Sequence, residues 1–167
     1  KTWYITSDAI LSFMKRNDLE DIMEQVFKDI DQVKKEYPYV VHIFKNSPFS
    51  PEIIKELSVA LDDFGETPLV IRSSSLLEDR MNNAFAGKYK SLFVANKGPK
   101  EQRLIEFMDA LAEVYASAFG PDPIEYRKER GLSEYHEEMG ILVQEVVGKK
   151  VGKYFMPAFS GVAFSHN

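Results

Sequence analysis

The sequence has no cysteine among its 167 residues. That excludes a disulfide framework, a thiolate metal site and a cysteine nucleophile, and it fits a reducing, cytoplasmic setting. Long apolar runs are missing too: none approaches the ~20 residues of a membrane span, so no membrane partner is expected. Positive charge is not in excess. There are 21 Lys and Arg against 26 Asp and Glu, a net charge of −5. Nucleic acid and anionic membrane surfaces therefore have no electrostatic handle here. Histidine is scarce, with three in the chain, and no H-E-x-x-H or paired-histidine pattern points to zinc. Gly87-Lys88 lacks the preceding glycine and following hydroxyl residue of a P-loop. No repeat or low-complexity tract is visible.

What remains is ordinary globular material, 44% hydrophobic and 28% charged, enough for a core without staples. The first third reads as helical. Ser7 is placed to cap a short helix carrying Ile10, Phe13 and Met14. Asp18 is placed to cap a longer one through Ile22, Val26, Ile30 and Val33, ending in polar Lys34-Lys35-Glu36 ahead of Pro38. The run Val40–Phe44 fits either helix or strand. Ser50-Pro51 opens a third helix, serine as cap and proline at the first helical position, with Gly65 as its stop.

From Pro68 the pattern changes. Leu69-Val70-Ile71 is β-branched and apolar, and predicts a strand that delivers Arg72 and Ser73-Ser74-Ser75 at its end. Tyr89–Val94 reads as a second strand. Pro99 opens a long amphipathic helix through Leu104, Met108, Leu111, Tyr115 and Phe119, which Gly120-Pro121 ends. A short helix follows through Tyr126-Arg127 to Gly131. Ile141–Val143 predicts a strand leading to Gln144, Glu145, Val146 and Val147. Gly148–Gly152, with Lys149-Lys150, reads as a solvated turn, and Ser160–Phe164 as a last strand. The order is α+β: a first part over 1–98, a helical insert over 99–137 and returning strands over 138–167. It lacks the regular alternation of a Rossmann fold.

Arg72 is the residue that invites a chemical reading. A guanidinium is permanently charged and forks onto two oxygens. Small hydroxyl residues beside it, and backbone N–H groups near Gly87, suit a phosphate. The structural alternative is an arginine paired with Glu78 or Asp79 that merely holds a loop.

Four pieces in order then resemble the phosphoenolpyruvate synthase and pyruvate phosphate dikinase family. They are Ile71-Arg72-Ser73-Ser74-Ser75; Glu78-Asp79 with Ala84-Phe85-Ala86-Gly87 and Ser91; Tyr126-Arg127; and Ile141-Leu142-Val143-Gln144-Glu145-Val146-Val147 followed by Gly161-Val162-Ala163-Phe164. The resemblance covers residues 68–164 and implies an ATP-grasp-like ATP-binding domain. It gives Arg72 the phosphates of ATP. Gly87 and Ser91 fall on the hairpin that closes over them, and Gln144 near purine and ribose. Backbone groups of Glu145 and Val147 would meet the adenine edge. In the whole protein it implies transfer of a phosphoryl or pyrophosphoryl group from ATP to a histidine on a phosphohistidine domain of the same polypeptide, then to an acceptor such as pyruvate.

The match departs from the family pattern in that a glycine-glycine-lysine segment and the Mg2+ carboxylates are absent. Both are expected in flanking sequence, so the 167 residues are expected to be inactive alone. Val146 stands where the family carries methionine. Ser165-His166 lies at a strand end and lacks the context of the phosphorylated histidine. Other readings are a dikinase with a drug or glucan acceptor, and a degenerate nucleotide-binding or scaffold module.

Overall fold

The computed structural model describes residues 1–75, 87–132 and 139–161. Glu78-Asp79, Ala84-Phe85-Ala86, His136 and the run from Val162 to His166 lie outside the described residues. The structure is mixed α+β. Strand β1 (Thr2–Ile5) leads into α1 (Asp8–Arg16), a 3-10 stretch (Glu20–Phe27), α2 (Ile30–Asn46) and α3 (Pro51–Phe64). Strands β2 (Leu69–Ser75) and β3 (Ser91–Val94) follow, then α4 (Lys100–Ser117) and α5 (Pro121–Glu129). Strand β4 (Met139–Glu145) returns to the sheet, and β5 (Lys149–Val151) pairs with β6 (Tyr154–Met156) in a separate hairpin.

The main sheet has the order β1-β4-β2-β3, antiparallel throughout. Its inner face carries Leu69, Ile71, Met139, Ile141 and Val143, all buried, against Phe107 and Leu111 of α4. The same core takes in Phe13 of α1, Phe44 of α2, and Leu61 and Phe64 of α3. Helices α4 and α5 fall within the expected 99–137 insert; α4 packs on the sheet and on α2, and α5 packs on α2. Among the described residues no helix is long and apolar enough to cross a membrane.

The cap signals are partly realised. The Ser50 side chain accepts from the Ile53 amide at 3.3 Å, with Pro51 in the first turn. Gly65 ends α3 at φ +63°, the left-handed region that glycine enters without penalty. Ser7 precedes α1, but its backbone is already helical and its side chain makes no capping bond.

The second helix corrects the sequence reading. Residues 20–27 form only a 3-10 stretch, and the real helix starts later, with the Asp29 carboxylate accepting from the Asp31 amide at 2.9 Å. It runs straight through Pro38 to Asn46, absorbing the ambiguous Val40–Phe44 run. An internal proline removes one helical hydrogen bond, at about 3 kcal/mol. The stripe Val33, Val40 and Phe44, each 0–2% exposed, offsets it, since burying each such side chain contributes about 1.5–3 kcal/mol. Tertiary burial overrides the local stop signal.

The Lys149-Lys150 pair is also corrected. It belongs to strand β5, and the turn of the hairpin comes later, at Gly152, with φ +60°.

Candidate functional site

Strand β2 does not stop at Arg72, as its apolar start suggested. It continues through Ser75, because β4 pairs with it along its whole length, Leu69 opposite Glu145 to Ser75 opposite Met139. Arg72 therefore sits in mid-strand. Side chains alternate across a strand. With Ile71 and Ser73 buried, Arg72 is exposed on the outer face.

Register decides what joins it there. Ser91 of β3 and Leu142 of β4 stand directly opposite Arg72. Opposed residues in an antiparallel pair share a face. Gln144 lies opposite Val70 on one side and Thr2 on the other, and its Nε2 donates to Thr2 Oγ1 at 3.3 Å. Arg72, Ser91, Val70 and Gln144 thus belong to one outer face. Tyr4 covers one end of it over Gly140, where a Cβ would come within 2.3 Å of the phenol oxygen. Among the described residues, no carboxylate pairs with Arg72. The alternative partners Glu78 and Asp79 lie outside those residues.

Gly87 is exposed at φ +82°, with open space where a Cβ would be. Its backbone conformation, rather than crowding, is what calls for glycine.

At the other end of the face, β4 runs out at Glu145. The Glu145 amide donates to the Lys1 carbonyl at 3.1 Å, and the Val146 amide to the Pro68 carbonyl at 2.8 Å. Val147 is 84% exposed. These residues, with Thr67, Pro68, Lys97, Lys150 and Phe155, line an open groove of about 630 Å³. Arg72 lies three residues along β2 from Leu69, the partner of Glu145. At 3.3–3.4 Å per strand residue it is about 10 Å from the groove. Two smaller cavities, of about 30 and 190 Å³, open among the helices and on the inner side of β1, away from Arg72.

Lys150 of the groove was read from sequence only as part of a solvated turn, and Lys97 was not singled out at all. A second cluster also went unread. Arg103, nearly buried in α4, donates to the Gly65 carbonyl at 2.6 Å and to Asn96 Oδ1 at 3.2 Å. Asn96 Nδ2 donates in turn to the Gly65 and Thr67 carbonyls, each at 2.8 Å. This knot ties the turn before β2 to the loop after β3 and so fixes one wall of the groove. Tyr126 and Arg127, the pair quoted from the family pattern, are buried in α5, where Arg127 donates to the Ala118 carbonyl at 3.0 Å. Among the described residues no three His, Asp or Glu side chains gather as a metal site. His42 is on α2, its ring beside Asn46 at 3.4 Å, far in sequence from every residue of the face.

Comparison with known proteins gives this face a context. Residues 1–167 match the family described as pyruvate phosphate dikinase, AMP/ATP-binding domain. The chain is also 28% identical over 165 residues to the uncharacterized phosphotransferase YvkC of Bacillus subtilis (strain 168), covering 98% of the chain. It spans 16% of the length of that relative.

Proposed function

Because the chain belongs to the pyruvate phosphate dikinase AMP/ATP-binding domain family, we propose that it holds ATP along its open sheet face, base in the groove and phosphates at Arg72. The observation that carries this reading is the cross-strand placement of Arg72 opposite Ser91, on the face shared with Gln144 and about 10 Å from the groove. That spacing leaves room for a ribose between base and phosphates. The Glu145 amide is already given to Lys1, so the adenine edge would be met by the Glu145 carbonyl and the Val147 amide. Gln144 would take the ribose side, and Gly87 would let the backbone approach the phosphates.

The reaction served would be phosphoryl or pyrophosphoryl transfer to a histidine on another domain of the whole protein, in an ATP-grasp-like site. Such transfer depends on placing the phosphates and neutralising their charge. A guanidinium fork carried on a strand paired on both sides would serve both. Magnesium would supply charge neutralisation at the phosphates; its ligands are expected in flanking sequence, and among the described residues no three His, Asp or Glu side chains gather to hold it. The final acceptor, whether pyruvate, a drug or a glucan, is chosen outside these residues.

Calorimetric titration of the full-length protein with ATP and magnesium tests the reading. Saturable binding that weakens in Arg72→Ala supports it. Binding unaffected by Arg72→Ala would remove the phosphate role from this face.

A further inference from the structure

Ser91 is the first residue of β3, and the residue before it is held from the opposite side. The Lys90 ammonium donates to Glu113 Oε1 on α4 at 2.8 Å. The Lys90 amide donates to Ser117 Oγ at 3.2 Å, and that hydroxyl donates to the Val114 carbonyl at 2.6 Å. Lys90 is thus gripped by both its side chain and its backbone, one helical turn apart on α4. Glu113 is itself held. Its second oxygen accepts from Lys45 of α2 at 3.1 Å, and Lys45 also donates to Asp109 at 2.8 Å. The Lys90 hydrogen bond, with Lys45 behind it, keeps the Glu113 carboxyl below the usual range. It therefore stays ionised as the hub between two lysines. The Lys90 ammonium also lies 5.9 Å from the centre of the Tyr37 ring.

Lys90 lies just before β3, tied to α4 on the helix side of the sheet, and the next residue, Ser91, enters the ladder opposite Arg72. We propose that Glu113 is a positioning residue for phosphate binding, acting through Lys90 to fix the start of β3 and hence the aim of Ser91. Glu113 itself touches no nucleotide. The inference rests on the reading of Arg72 and Ser91 as phosphate contacts.

The test uses the full-length protein, titrated with ATP and magnesium and, separately, with adenosine. Glu113→Gln and Lys90→Met should each weaken ATP about three- to tenfold, the range of a lost positioning contact. The double variant should be little worse than either single one. Adenosine affinity should stay unchanged, because the base site is at the other end of the face. Asp109→Asn removes a Lys45 partner without touching Lys90, and should leave both affinities alone. Lys90 is 43% exposed, so Lys90→Met carries the test if Glu113→Gln fails to fold. ATP affinity equal to or tighter than wild type in the Glu113 and Lys90 variants overturns the proposal. So does an equal loss for ATP and adenosine, which would mark a general structural role. If Arg72→Ala weakens ATP while Glu113→Gln does not, only this inference falls. If Arg72→Ala has no effect, the phosphate reading beneath it falls as well.

Discussion

Arg72 and Ser91 stand directly opposite each other across the β2–β3 pair, on the face of the sheet that the helices leave open. Their geometry is held by ladder hydrogen bonds on β2 from both β3 and β4.

Removing that guanidinium is the first expected effect. Arg72→Ala in the full-length protein should weaken ATP about ten- to hundredfold, from the loss of about 1.5–3 kcal/mol of charged hydrogen bonding. Arg72→Lys should recover only part of this, since an ammonium cannot reproduce the bidentate fork. Calorimetry with ATP and magnesium on the three proteins measures it.

The 167 residues by themselves should form no phosphohistidine from ATP, because the acceptor histidine of the proposed reaction is on another domain. Incubation with γ- and β-labelled ATP, followed by acid-labile phosphate analysis, checks this. Stable labelling of the short chain would place the acceptor within it and revise the division of labour proposed above.

Asn96 adopts φ +52° while fully buried, and its amide bridges two carbonyls. Asn96→Ala should cost about 2–3 kcal/mol, from lost hydrogen bonds and a side chain forced into the left-handed region. Asn96→Gly relieves the second term and should lose about 1 kcal/mol less. Urea unfolding of both variants separates strain from hydrogen bonding. Equal losses would show that the backbone conformation carries no penalty.

Gly87→Ala meets open space but a positive φ of +82°. It should destabilise by about 1 kcal/mol through backbone strain alone. An unchanged denaturation midpoint would mean that the turn before β3 accommodates a side chain.

Acid should act on the link between the 3-10 stretch and α2. Glu36 accepts from Lys28 and Gln25, each at 2.7 Å, and from Gln32 at 2.7 Å. The Lys28 bond, then Gln25 and Gln32, hold its carboxyl down at about 2, against about 4.3 in an unfolded chain. A depressed folded value means that the unfolded state binds the proton first. The stabilisation is therefore complete above about pH 5 and fades as pH falls towards 2. Glu36→Gln should narrow its stability gap to wild type over that interval, measured by thermal unfolding across pH. A gap independent of pH would show that the carboxylate is not held by these donors.

Local chemistry wrote much of this molecule into its sequence. Ser50-Pro51 and Gly65 bound α3 because a cap, a fixed φ and a left-handed stop act within a few residues. The apolar stripe of α4 followed from its period, and the strands at Leu69–Ile71 and Ile141–Val143 from their apolar, β-branched runs. The likeness to the nucleotide-binding family rested on short motifs in sequence order. Tertiary structure decided what depends on distant partners. Helix α2 crosses Pro38 because Val40 and Phe44 have a core to enter. Strand β2 outruns Arg72 because β4, some seventy residues later, pairs with it to Ser75. The placement of Arg72 with Ser91 and Gln144 is a matter of register, which no single strand contains. Arg103 carries no local sign of burial; its partners, the Gly65 carbonyl and Asn96 Oδ1, come from a turn and a loop outside its helix. Charge, period and caps are properties of neighbours along the chain; faces, grooves and ion-pair hubs belong to neighbours in space.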